Sequence, residues 1–313
     1  MKPLKADTNI ALPSIGTWRA SAHRFEPTHV AAIEAATLSG RPLLVRGEPG
    51  LGKSQIARAI AAIHEWRLVT IVVNARTEVD DLLYSIDHVA RLSDANVKQS
   101  EESLALQNYL RKGPIWRAME LGEKDFNARP NNAEDKGYYE PQEGCVLLVD
   151  EIDKAHSDIP NALLEVLDQG SFQVSETGEL VKGESDRVFV VITANEERAL
   201  PAAFLRRCAV LTLGLGDNPV QRLMEISAAH KEYGLLNKVD DEMQQSAAEL
   251  VRHYREGVPS SEYKPGSSEY LDLLRVIDRQ LEQGDISSNQ VANKLEEMST
   301  FLIKKQLRTD TIY

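Results

Sequence analysis

The sequence predicts an α/β fold: a parallel sheet covered by helices on both faces, an αβα sandwich, followed by an all-helical C-terminal domain. Three observations carry the prediction. Short apolar runs alternate with helical patterns as far as residue 213, the signature of βα units. One of those runs, Cys145 to Val149, is apolar without a break, as a strand covered on both sides is. Beyond Gly214–Pro219 the alternation stops and apolar residues recur at helical spacing.

Leu43 to Val45 reads as the first buried strand, and Ile56, Ile60 and Ile63 then share one helix face. Leu68 to Val73 is the next strand and Cys145 to Val149 the third. A helix near Asn161–Leu167 follows, with Leu163, Leu164 and Leu167 on one side. Val188 to Thr193 and Ala209 to Leu213 supply two more strands. Two glycines, an Asp-Asn pair and a proline punctuate residues 214–219, which places a boundary near residue 215. The expected domains are therefore 1–215 and 216–313. In the second, Leu271, Leu274, Ile277 and Leu281 make one apolar stripe, and Val291, Leu295, Met298 and Leu302 another. Residues 85–112 and the polar stretch 122–144 read as insertions, the latter a surface loop or a partner contact.

A chain of 313 residues is long for one core and suits two domains. No apolar run approaches the roughly 18 residues of a membrane span. The N-terminal MKPLKADTNIALP has no apolar core of a secretory signal. A cytoplasmic protein is the expectation, and in a reducing compartment Cys145 and Cys208 are expected as buried structural thiols, not a disulfide. The formal net charge of -12 repels a nucleic-acid backbone unless basic residues cluster. Arg206-Arg207 and Lys304-Lys305 are pairs and not a basic run, so a nucleic-acid partner is disfavoured.

The chemistry begins at Gly47-Glu48-Pro49-Gly50-Leu51-Gly52-Lys53-Ser54, which fills the phosphate-loop pattern G-x-x-x-x-G-K-[ST] between a strand and a helix. Glycines let the backbone turn its N–H groups onto phosphate oxygens, and the following helix presents its positive N-terminus to the same anion. Lys53 is expected at the β- and γ-phosphates and Ser54 on Mg²⁺. The bland alternative is a glycine-rich turn that binds nothing. About 100 residues on, the apolar strand ends in Asp150-Glu151. In open α/β sheets ligands bind at this end of the strands. Asp150 is placed to hold Mg²⁺ and Glu151 to act as general base toward water, where otherwise the two form a solvated pair. Asp153 and Lys154 carry no chemistry in this reading and are expected as a helix cap or surface ion pair. The strand ending Thr193-Ala194-Asn195 offers an amide that can orient the water. Arg206 and Arg207, after Leu200–Leu205, are either surface solvation or an arginine finger for a neighbouring subunit's site.

Together these residues resemble an AAA+ ATPase. GEPGLGKS is similar to Walker A, CVLLVDEID to Walker B, ITAN to sensor 1 and LPAAFLRRC to the arginine-finger segment. DDLLY, KGPIW and LLVDEIDKAHSDIPNALLEVLDQGSFQV fall in the order of the MoxR family, over roughly residues 25–215. The resemblance implies ATP and Mg²⁺ as ligands, an insert in helix 2 at about 85–112 and a β-hairpin before sensor 1 at about Phe172–Arg187. It also implies a hexameric ring of identical chains and chaperone-like remodelling of a protein partner, often one with a von Willebrand A domain. By the same resemblance Arg207 is the first choice for the finger and Arg206 the second. Two features depart from the family. The segment Tyr263–Glu269 carries no sensor-2 arginine, leaving Lys264 as candidate, and no aromatic-hydrophobic-glycine pore loop follows the second strand. The alternatives are an ATPase acting on nucleic acid, as in restriction complexes, and a scaffold whose nucleotide only sets a conformation. A GTPase is disfavoured because no Asn-Lys-x-Asp motif is present.

Overall fold

The computed structural model describes residues 2–97, 103–120, 144–156, 158–183, 187–195, 198–258 and 263–304. The polar stretch expected at 122–144 lies outside them except for Gly144. In chain order the fold opens with a hairpin, β1 (Thr8–Leu12) and β2 (Ser21–Phe25), then α1 (Pro27–Ser39), β3 (Leu43–Gly47), α2 (Lys53–His64), β4 (Arg67–Val72) and α3 (Val79–Leu83). Next come β5 (Tyr84–Ile86), α4 (His88–Asn96), β6 (Leu110–Lys112), α5 (Pro114–Met119), β7 (Cys145–Asp150) and α6 (Asp158–Gln169). A second hairpin, β8 (Ser171–Gln173) and β9 (Leu180–Lys182), leads to β10 (Val188–Ala194), α7 (Ala202–Leu205) and β11 (Ala209–Leu213). The chain then turns helical: α8 (Pro219–Glu232), α9 (Asp241–Gly257), α10 (Ser267–Gln283) and α11 (Val291–Leu302).

The predicted α/β class is what the strands build. Five of them form one sheet in the order β11-β3-β10-β7-β4, and the β3/β10, β10/β7 and β7/β4 pairs are all parallel. Residues Cys145 to Val149 of β7 are fully buried. Successive side chains of a strand point to opposite faces, so a strand buried throughout is covered on both. On one face Leu147 and Val149 join Ile115 and Trp116 of α5, Leu163 and Leu164 of α6, and Phe204 in a single apolar cluster.

Two compact units result. The first comprises Met1–Pro3, Thr28–Arg46 and Ile60–Leu211. Within it, β5 and β6 pair antiparallel, so the excursion at 85–112 leaves and returns at one point, closed by Gly113 N–H on Leu83 O at 2.8 Å. The β8/β9 hairpin lies where the MoxR resemblance implies one. Tyr84 stacks on Phe172 with centroids 6.3 Å apart, and Trp116 meets Phe172 edge-on at 5.5 Å, an aromatic node joining excursion, α5 and hairpin. Both cysteines are free and buried. Burial pushes each thiol up to about 12, which makes them inert packing groups, as expected.

The second unit comprises Leu4–Pro27, Gly47–Ala59 and Thr212–Tyr313. It is not the C-terminal helices alone, because the first hairpin and the loop before α2 pack with them. The two stripes predicted on α10 and α11 meet Leu223, Met243, Ala247 and Val251 in one apolar cluster, against which Leu51 also rests. Asp278, buried on α10, accepts N–H bonds from Asn237, Lys238 and Val239 at 2.8, 2.6 and 3.1 Å and so fixes the turn between α8 and α9. His230 of α8 fastens the hairpin: its Nε2 accepts from Ala22 N–H at 3.2 Å and lies 3.1 Å from Ser21 Oγ, while Nδ1 lies 2.8 Å from Ile226 O.

Candidate functional site

The phosphate-loop residues form the first group. β3 ends at Gly47 and α2 begins at Lys53, so the intervening turn sits directly at a helix N-terminus, where unpaired N–H groups and the helix dipole favour an anion. Gly47 has φ +138°, and a Cβ there would stand 2.5 Å from Leu213 O. Gly50 has φ +77°, in the left-handed region. Any side chain at these two positions would strain the turn or push it open. Lys53 is only 7% exposed. Its Nζ donates to Gly47 O at 2.8 Å and Glu48 O at 2.9 Å, so the ammonium closes over the loop's own carbonyls. Ser54 is the second residue of α2 and half-buried; Gly52 O accepts from Gln55 N–H at 3.0 Å; Pro49 is exposed.

The same unit holds this loop from outside. Gly50 O accepts from Ser268 N–H at 2.9 Å, Ser267 Oγ at 2.8 Å and Ser268 Oγ at 3.1 Å, all from the start of α10. Arg255, near the end of α9, donates through Nη2 to Glu48 Oε2 at 2.6 Å and through Nη1 to Pro265 O at 2.8 Å. The sequence leaves Lys264 as the candidate cation of Tyr263–Glu269. The guanidinium on the loop comes instead from Arg255, a turn of chain earlier and 207 residues from its partner. No local pattern signals it.

The acidic strand end is the second group, in the first unit. The β7/β10 register pairs Val149 with Ile192, so Asp150 ends β7 beside Thr193. The Thr193 hydroxyl donates to Asp150 Oδ1 and accepts from Glu151 N–H at 3.0 Å. Glu151 turns through the left-handed region, φ +62°. Its Oε2 meets Lys154 Nζ at 2.9 Å and its Oε1 accepts from Asn195 Nδ2 at 3.4 Å. Thus Asp150, Glu151 and Asn195 are brought together. Asp153 departs from expectation, whereas Lys154 makes a partly exposed ion pair as expected. Asp153 is buried and accepts Asn195 N–H at 3.1 Å, anchoring the turn that presents the amide, and Lys154 pairs with the predicted base. Sequence alone leaves an Asp-Lys pair after a strand ambiguous because its partners lie across the sheet.

The arginines are a third group. Phe204 and Cys208 are buried and pin the short α7 turn between them. Arg206 and Arg207 stay exposed. Arg207 is 45% exposed, with Nε 4.0 Å from Asp168 Oδ2.

A segment of 204 residues, 64% of the chain, is 26% identical to the chaperone protein ClpB of Enterococcus faecalis, and 51 residues, 16% of the chain, are 47% identical to the ClpB of Mycoplasma pneumoniae. The matched parts span 19% and 7% of those relatives. Among solved structures, a point mutant of Thermotoga maritima RuvB shares the fold at a TM-score of 0.50 and 16% identity, over 87% of this chain and 68% of that one. Residues 42–208, more than half of the sequence and the part that carries loop, acidic strand end and arginine segment, match the model of the AAA domain, dynein-related subfamily, and the chain therefore belongs to that AAA family.

Proposed function

We propose that this chain is a MoxR-like AAA+ ATPase that binds and hydrolyses ATP with Mg²⁺ to remodel or switch a protein partner, working as a ring of copies of itself, a hexamer. The observation that carries the reading is the gathering of Asp150, Glu151 and Asn195 around Thr193.

The residues fit the ligands. The loop from Gly47 to Gly52 runs into a helix N-terminus beside a buried ammonium, which suits a polyphosphate and not an apolar ligand. Among the described residues no cluster of three or more His, Cys, Asp or Glu is placed to hold a metal. Ser54 and Asp150 offer hard oxygens for Mg²⁺, which is commonly bound by one or two side chains plus phosphates. Mg²⁺ bound there would neutralise charge on the phosphate oxygens.

The roles follow from chemistry. The loop amides and Lys53 bind the phosphates, with Gly47, Glu48, Pro49, Gly50, Leu51 and Gly52 as the cradle. A triphosphate competes with the Gly47 and Glu48 carbonyls for the Lys53 ammonium. Glu151 takes the proton of the attacking water, and Asn195, already on its carboxylate, orients that water. Arg207, or failing it Arg206, enters a neighbour's site to offset charge in the transition state. In this reading the core is 1–215 and the lid 216–313, and Arg255, not Lys264, is the lid cation on the loop. The partner is a protein because the net charge of -12 disfavours nucleic acid and because the ClpB relatives are chaperones. A von Willebrand A domain is the partner type the MoxR resemblance suggests. ATPase rate against protein concentration tests the reading, for wild type and Glu151→Gln. The specific rate rises with assembly, and the variant binds ATP while turning over at under about 1% of wild type. A concentration-independent rate removes the trans arginine, and an active Glu151→Gln removes the base.

A further inference from the structure

We infer that Thr193 is a positioning residue for ATP hydrolysis, its single hydroxyl setting the metal-holding acid and the general base into one geometry. The inference rests on the reading of Asp150 and Glu151 above and adds to it a residue of the apolar strand β10.

Thr193 is the one polar residue in β10, VFVVITA, and it is 1% exposed. A buried hydroxyl without partners costs about 1–3 kcal/mol, so its place in a central strand needs a reason. Here both of its functions are used. It donates to the Asp150 carboxylate, and it accepts the Glu151 N–H at 3.0 Å. β10 lies between β3 and β7, with Thr193 in register with Val45 on one side and its neighbour Ile192 with Val149 on the other. The hydroxyl is therefore carried by the central strand of the sheet.

The second bond matters because of where it falls. Glu151 is one of three non-glycine residues described with positive φ, at φ +62° and ψ 44°. The left-handed conformation is disfavoured for a residue with a Cβ and persists where surroundings hold it. The Thr193 oxygen holds the amide at the hinge of that turn. From the turn the Glu151 carboxylate reaches Lys154 at 2.9 Å and Asn195 at 3.4 Å. The first bond ties Asp150 Oδ1 to the same hydroxyl. Thr193 itself has no part in proton transfer; it acts through both acids, so losing it displaces two groups at once.

Thr193→Val is nearly isosteric and removes the hydroxyl; Thr193→Ser keeps it. Four readouts on both variants and wild type decide the matter: kcat, nucleotide affinity, thermal unfolding and amide hydrogen exchange at Glu151. Misplacement of reacting groups by about an ångström costs on the order of 100-fold, so Thr193→Val is expected to lose about 30- to 100-fold in kcat. Its ATP affinity stays within about threefold, because the phosphate loop is untouched. Exchange at the Glu151 amide accelerates in Thr193→Val and stays near wild type in Thr193→Ser, which also keeps most of kcat. A folded Thr193→Val with wild-type kcat or wild-type Glu151 exchange overturns the assignment. So does a Thr193→Ser as impaired as Thr193→Val, since that makes the methyl and not the hydroxyl responsible. If Thr193→Val does not fold, Thr193→Ala removes the same hydroxyl without adding a methyl and is read by the same criteria. A wild-type protein without ATP turnover sinks the functional reading and this inference with it, whereas an active wild type beside an unaffected Thr193→Val sinks this inference alone.

Discussion

Replacing Arg255 by Met keeps an unbranched apolar stem and removes the guanidinium that ties the end of α9 to the phosphate loop. Two bonds are lost: Nη2 to Glu48 Oε2 at 2.6 Å and Nη1 to Pro265 O at 2.8 Å. The Arg255 side chain is 17% exposed and that of Glu48 is 40% exposed. Unit charges 4 Å apart attract by about 1 kcal/mol in water and about 4 kcal/mol at the effective dielectric of a protein surface. The exposure of Glu48 and the cost of ordering both side chains bring the net value toward about 1 kcal/mol. The bond to the Pro265 carbonyl adds about 1 kcal/mol. Arg255→Met is thus expected to lose about 2 kcal/mol in urea unfolding, and a double-mutant cycle with Glu48→Gln to show coupling of about 1 kcal/mol. Because the ion pair helps to pre-form the loop, ATP affinity is expected to weaken by up to about tenfold. Coupling within about 0.3 kcal/mol of zero, with unchanged ATP affinity, refutes the claim that Arg255 acts on the loop through Glu48.

Burial pushes the His230 imidazole down to about 4, with Arg275 acting in the same direction and its hydrogen bond to Ile226 opposing. The neutral ring is the folded form, so its contribution is whole above the ordinary value near 6.5 and is lost as pH falls through about 4. That loss is on the order of 3 kcal/mol, and unfolding measured from pH 7 to 4 should be less pH-dependent in His230→Asn than in wild type. Asp278 Oδ1 accepts all three N–H bonds, so Asp278→Asn keeps the acceptor but removes the charge that strengthens them, and is expected to cost about 2 kcal/mol in unfolding free energy. Mixing Arg207→Ala with Lys53→Ala subunits, each inactive alone, is expected to restore part of the ATPase rate. An absence of rescue counts against the trans arginine.

What could be read from the sequence was local. The five sheet strands announced themselves as apolar runs between turn residues, and the phosphate loop and Asp150-Glu151 by spacing. The stripes of α10 and α11 followed helical period and are the faces that bury Leu274, Ile277 and Leu295. What escaped was long-range. The hairpin β1/β2 is short and mixed in polarity, and it is secured by His230, over 200 residues away. Arg255 looks like one more charge near a helix end until its partner is placed. Thr193 is a β-branched residue in a β-branched strand, and only the register with β7 gives its hydroxyl a meaning. Asp153 reads as a surface acid, yet it is buried because it receives the Asn195 amide.

The most direct test of the account is equilibrium binding of a fluorescent ATP analogue in the presence of Mg²⁺, to wild type and to Lys53→Ala. The account predicts saturable binding in roughly the micromolar range for wild type, weakened about 30-fold or more once the ammonium is gone, a loss of about 2 kcal/mol. A wild-type protein that shows no measurable affinity for adenine nucleotides, or one that binds them equally well without Lys53, contradicts it.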